Sequence, residues 1–229
     1  MITYYLILGV FTLVGFLVSN RLKSKFQQYS QIGTRSGLSG AEVAVKMLRH
    51  YGITDVKVQV GQGMLTDHYN PTNKTVTLSE DVYHGRSIAA AAVAAHECGH
   101  AVQHAQAYSM LTLRSSLVPV VQISSKLQQF LFMAFIIGLG TNIGGSAIML
   151  ILVATFGVTA LFSLITLPVE FDASRRALVW LDESNVAVGQ EYEGAKDALW
   201  WAAMTYVAQA LGALVMFLYF LLSFLGSRD

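Results

Sequence analysis

Apolar residues along this chain are gathered into four long runs instead of being spread with the short period of a soluble fold. Residues 2–19 carry no charge and are broken only by Thr3, Thr12 and Ser19 among small polar side chains. A bilayer core is crossed by about 20 apolar residues in a helix, so this run predicts a transmembrane helix. Arg21, Lys23 and Lys25 follow it instead of preceding it, the reverse of a cleaved secretory signal. The second run, residues 118–140, is interrupted in its first half by Gln122, Lys126, Gln128 and Gln129, which are expected to face protein and not lipid. Residues 147–167 form a clean third run that Pro168 is expected to end. Residues 202–225 form the fourth, entered through Trp200 and Trp201, where an interfacial belt would sit. A short hairpin connection at residues 141–146, with Gly144 and Gly145, is predicted between the second and third.

Between the first two runs the pattern becomes that of a small water-facing fold. Ser39 followed by Glu42 is a capping box, and Gly52 is a helix stop, so a short helix is predicted over residues 39–51. Val56, Val58 and Val60 alternate with polar residues, which predicts a strand over residues 53–60 that Gly61 and Gly63 close. Residues 64–69 and 75–78 flank Asn70, Pro71, Thr72 and Asn73, a turn-rich set between two strands. Ser87 can then cap an alanine-rich helix that continues to about Gln106.

Composition strengthens the membrane assignment. Of 229 residues, 54% are hydrophobic and 13% are charged, about half the charge of an average soluble domain. An ordinary soluble globule is excluded. The formal net charge of +1 supplies no basic field, so no nucleic-acid partner is expected. The single cysteine, Cys98, excludes an internal disulfide. Arg21, Lys23, Lys25 and Arg35 follow the first run, Arg175, Arg176 and Lys196 lie between the third and fourth, and residues 141–146 carry no basic group. Short basic loops stay on the cytoplasmic side. The expected protein is therefore a mainly α, multi-pass membrane protein with about four transmembrane helices and a small α+β catalytic part facing the cytoplasm. Its expected divisions are a helix at 1–20, a soluble part at 21–116, a membrane hairpin at 117–167, a soluble segment at 168–201 and a last helix and tail at 202–229.

The candidate chemistry stands on the alanine-rich helix, in the stretch AAVAAHECGHAVQHA. His96 and His100 are four apart, so they share one helical face about 6 Å apart along the axis and can reach one ion. Glu97 beside them is placed to take a proton from a metal-activated water, the HExxH arrangement of metallopeptidases. A packed interface that merely satisfies two histidines would leave Glu97 as an acid in an apolar stretch without a purpose. A catalytic zinc takes three protein ligands and leaves a position for water. His104 lies about 12 Å along the axis from His96, too far to share the ion. Gln106 stands where a metzincin would place its third histidine. Cys98 points off the histidine face and is expected to pack. His68 with Asp67 could contact metal or substrate, or belong to a solvated turn. Glu170, in PVEFDASRRAL just after the third run, is the best placed, because the expected topology returns it to the side of His96 and His100.

HECGHAVQHA, followed beyond a membrane hairpin by VEFDASRRAL and preceded by LTDHYNPTNKTVTLSE, resembles the YugP-like membrane zinc metallopeptidases of bacteria over nearly the whole chain. The resemblance implies a zincin-like catalytic part with a gluzincin-type site: one zinc ion on His96, His100 and Glu170, Glu97 as general base, and peptide or protein substrates at the bacterial cell membrane. More distantly the chain is similar to the HtpX and CAAX-protease group, whose third-ligand helix reads Glu-x-x-x-Asp. Ser174 takes that aspartate position here, so Asp172 or Arg175 is expected to supply the missing partner.

The expected function is thus a membrane-anchored zinc metallopeptidase. His84, Arg175 and Arg176 are the candidates for stabilising the oxyanion, and the strand at residues 75–78 is equally a core strand or one that pairs with an extended peptide. The rival readings are a non-catalytic membrane scaffold or chaperone-like protein with a structural zinc, and an intramembrane metalloprotease. The apolar stretch before His96, residues 88–95, is too short to span a bilayer.

Overall fold

The structure, a computed structural model, describes residues 2–63, 65–136 and 145–226. Its elements follow in the order α1 (Ile2–Ser30), α2 (Gly40–His50), β1 (Lys57–Gly61), β2 (His68–Asn70), β3 (Thr75–Ser79), α3 (Glu80–His84), α4 (Ile88–Ala105), α5 (Ser109–Ile136), α6 (Gly145–Glu183) and α7 (Gln190–Gly226). The chain is mainly helical and divides into two compact units. One comprises Met1–Leu17, Thr112–Leu167 and Tyr206–Asp229; the other comprises Val18–Leu111 and Pro168–Thr205.

The first unit is built from apolar helix segments. Among the described residues three helices are long and apolar enough to cross a membrane: Ile2–Ser30, Ala147–Glu183 and Gln190–Gly226. The second predicted run forms α5, whose described part ends at Ile136 and is not in that set, while residues 137–140 of the run and most of the predicted connection at 141–146 lie outside the described residues. Gln128 is half-buried and donates to Thr159 Oγ1 at 3.4 Å, whereas Gln122, Lys126 and Gln129 are exposed, so the expectation that all four face protein holds for Gln128 alone. Rings knit the unit together: Tyr4 lies 5.6 Å from Phe132, and Phe156 stacks on Phe220 at 4.8 Å.

Pro168 does not end the third helix. Proline removes one backbone donor and crowds the preceding turn, which ordinarily breaks a helix. Here the following residues carry their own reason to stay helical. Val169, Ala173, Ala177, Trp180 and Leu181 recur at intervals of three and four and are all buried, and burying side chains of valine or leucine size contributes about 1.5–3 kcal/mol each. Glu170 therefore stands inside a 39-residue helix instead of at the start of a loop.

The second unit is a three-stranded sheet backed by helices. The strand order is β1-β3-β2, with β1 parallel and β2 antiparallel to β3. All five residues of β3 are buried and both of its edges are paired, so β3 is a core strand and the alternative of peptide pairing along it is overturned. The core combines Val43, Ala44 and Met47 of α2, Val76 and Leu78 of β3, the alanines of α4, and Trp180 and Leu181 of α6. Both predicted caps are present. Ser39 N–H donates to Glu42 Oε2 at 2.7 Å while Glu42 N–H donates to Ser39 Oγ at 3.3 Å, and Ala90 N–H donates to Ser87 Oγ at 3.2 Å. The alanines of α4 let this helix be almost wholly buried, so the two histidines it carries sit in the middle of the unit.

Candidate metal centre

Helix α4 presents His96 and His100 on one face with their ring centroids 4.8 Å apart. Helix α6 brings Glu170 against them: Glu170 Oε2 lies 3.3 Å from His96 Nε2 and 3.5 Å from His100 Nε2. One ligating atom from each of the three lies within 4.8 Å of the others. His100 and Glu170 are buried, and His96 is half-buried. Close approach of the two helices depends on Gly99, whose position faces the Ala173 carbonyl with no room for a side chain.

The other ring nitrogens are also engaged. Ser174 Oγ lies 3.1 Å from His96 Nδ1, and Gln103 Oε1 lies 3.0 Å from His100 Nδ1. Gln103 Nε2 donates to Val169 O at 2.8 Å and to Asp172 Oδ2 at 2.9 Å. Arg175 Nη2 and Arg176 Nε each donate to Asp172 at 2.5 Å. Ser174 itself therefore partners His96. Of the two residues expected to substitute for the aspartate, Asp172 contacts Gln103, which in turn contacts His100, and Arg175 contacts Asp172. Gln103 was not among the residues singled out in the sequence; the available signal was a polar residue three after His100 and seven after His96 on an otherwise apolar helix.

Two nitrogens and a carboxylate converging at this spacing suit zinc, which prefers such ligands. Burial pushes the His100 imidazole down, but the Glu170 carboxylate and then Glu97 outweigh it, and its pKa is raised above the ordinary histidine value. A pocket that favours positive charge on a buried imidazole is one that favours a cation.

Glu97 lies on the adjacent stripe of α4 and is buried. Its Oε2 accepts from the backbone N–H of Tyr69 in β2 at 3.0 Å, so the short strand orients the carboxylate. The Tyr69 hydroxyl lies 2.7 Å from His104 Nδ1, which places His104 beside the strand and outside the three-residue cluster. His68 is exposed and its Nδ1 contacts Thr66 O at 2.8 Å, while Asp67 accepts from Ser79 N–H at 2.7 Å. His68 opens β2 and Asp67 directly precedes it, and neither joins the cluster. Burial pushes the Asp67 carboxyl up, against the pull of the Ser79 donors.

Cys98 is fully buried, with Sγ 3.6 Å from Ala44 O, and desolvation first and Glu97 second push its thiol up. It packs, as expected. The three oxyanion candidates are engaged elsewhere: Arg175 and Arg176 hold Asp172, Arg176 also donates to Gln106 Oε1, and His84 packs edge-on against Tyr83 at 4.9 Å.

Residues 4–225 match the family described as "Putative neutral zinc metallopeptidase". The chain is 43% identical over 216 residues to "Putative membrane protease YugP" of Bacillus subtilis (strain 168), covering 94% of each chain. No solved structure matches it.

Proposed function

The chain belongs to the neutral zinc metallopeptidase family, and on that premise we propose a membrane-anchored metalloendopeptidase that hydrolyses peptide or protein substrates. The observation that carries this reading is the convergence of His96 Nε2 and His100 Nε2 on Glu170 Oε2, with the Glu97 carboxylate held on the neighbouring helical stripe. His96, His100 and Glu170 would hold the ion, and zinc bound there would supply Lewis acidity, polarising the scissile carbonyl and lowering the pKa of the attacking water. Glu97 takes the proton of that water and delivers it to the leaving amine. Tyr69 N–H keeps the carboxylate turned for this work, and burial of His100, Glu97 and Glu170 keeps bulk water from weakening the local charges.

The same cluster supports a reading of the membrane topology. If α6 crossed the bilayer and α5 did not, His96 and Glu170 would lie on opposite faces. Their 3.3 Å separation supports crossings by both or by neither, and the first half of α6 is strongly apolar. We therefore keep four crossings, α5 included, with the zincin-like catalytic part on the cytoplasmic side, as the basic residues at 21–35 and 175–196 favour. An intramembrane protease is disfavoured because α4, an 18-residue helix, is not one of the membrane-length apolar helices of the described residues. A scaffold with a structural zinc gives no reason for an oriented Glu97 carboxylate beside the ligands.

The test uses full-length protein in detergent with casein as a generic unfolded substrate. Cleavage that a chelator abolishes and zinc restores is expected, with Glu97→Gln inactive but still zinc-loaded. Cleavage by Glu97→Gln at the wild-type rate would remove Glu97 from the role of base.

A further inference from the structure

We infer that Gln103 and Asp172 form a relay that locks His100 in the tautomer whose Nε2 lone pair faces the metal position, so that both are positioning residues for the metal. The inference rests on the zinc reading above. Gln103 is fully buried, and a side-chain amide has one end that only donates and one that only accepts. One end lies 2.8 Å from Val169 O and 2.9 Å from Asp172 Oδ2, two acceptors that bring no hydrogen of their own. The Val169 carbonyl is always an acceptor, and Asp172 Oδ2 is already the acceptor of a second donor, Arg176 Nε. That end is therefore the NH2 group, and the oxygen must face His100.

An amide oxygen 3.0 Å from His100 Nδ1 requires a hydrogen on that nitrogen. An imidazole that ligates a metal is neutral and carries one N–H, so with that hydrogen on Nδ1 the Nε2 lone pair, 3.5 Å from Glu170 Oε2, is left for an ion held by both. The opposite tautomer would set the Nδ1 lone pair against the Gln103 oxygen and turn an N–H toward the ion position. The Asp172 charge also draws on the amide N–H bonds and makes the amide oxygen a stronger acceptor, which raises the basicity of Nε2.

The relay gives VEFDASRR a compact logic. Glu170 is a candidate ligand, Asp172 acts on His100 through Gln103, and Ser174 contacts His96, at every second residue along α6. Arg176 fastens the assembly to the end of α4 by donating to Gln106 Oε1 at 2.5 Å.

The test is the zinc Kd of full-length, metal-stripped protein in detergent, read by competition with a chromogenic chelator alongside a thermal melt. Gln103→Met keeps the volume and removes the relay; about 10- to 100-fold weaker zinc binding is expected, the cost usual for losing such an outer partner. Asp172→Asn keeps Gln103 and its bond to Val169 O and removes only the charge; it is expected to weaken zinc binding by about threefold or more. A filler role predicts an unchanged Kd in both variants. Wild-type Kd in Gln103→Met or in Asp172→Asn overturns the relay. Should Gln103→Met fail to fold, Asp172→Asn alone decides: weakening by about threefold or more supports the relay, and an unchanged Kd overturns it. Wild-type protein that binds no zinc at all overturns both the relay and the metallopeptidase reading, whereas zinc binding without proteolysis contradicts that reading alone.

Discussion

A Cβ placed on Gly99 would stand 2.6 Å from the carbonyl oxygen of Ala173. The glycine inside HECGH is thus the point where α4 and α6 touch backbone to backbone, and this contact brings Glu170 and Ser174 within reach of the two histidines. Gly99→Ala should force the helices apart, costing about 1–3 kcal/mol as overpacking does, and should weaken zinc binding with it. Because the obstacle is a backbone oxygen, adding Ala173→Gly should not rescue the variant. Thermal melts and zinc titration of the single and double variants check both statements.

Ser174 contacts His96 Nδ1 through a neutral hydroxyl. Ser174→Ala should leave that ring without its partner and weaken zinc by about 10-fold or more. Ser174→Asp supplies a charged acceptor at the same position and should bind zinc at least as tightly as wild type. Chelator competition on the two variants gives the comparison, and equal weakening in both would contradict the assigned role.

The Cys98 thiol is buried against α2 and held protonated, so it is neither a ligand nor a nucleophile. The folded protein should resist maleimide labelling until denatured, and Cys98→Ala should keep wild-type zinc content with only a modest loss of stability. Mass spectrometry before and after denaturation follows the labelling.

Zinc that binds the folded site and not the unfolded chain stabilises by mass action, by about 4 kcal/mol when free zinc is a thousandfold above Kd. Chelation should therefore lower the melting temperature of the wild type. The same treatment should shift His100→Ala far less.

Much of this was legible in the chain because it depends on neighbours in sequence. Ser39 with Glu42 and Ser87 with Ala90 are caps that a few residues determine, and His96, Glu97 and His100 share a helix whose geometry fixes their spacing. What was misread depends on contacts distant in sequence. Pro168 signals a stop by local rules, yet the buried stripe from Val169 to Leu181 carries the helix through it. The strand at Thr75–Ser79 has the pattern of either a core or a peptide-pairing strand until its two partners are known. Gln103 looks like an ordinary polar residue until Val169 and Asp172 arrive from α6, some seventy positions away.

The central claim is that α4 and α6 together build one metal site. Metal content by mass spectrometry of full-length wild type, His96→Ala and Glu170→Ala, purified side by side in detergent, tests it most directly. The account predicts one zinc per chain in the wild type and loss of zinc in both variants; a full equivalent of zinc retained in Glu170→Ala would contradict it.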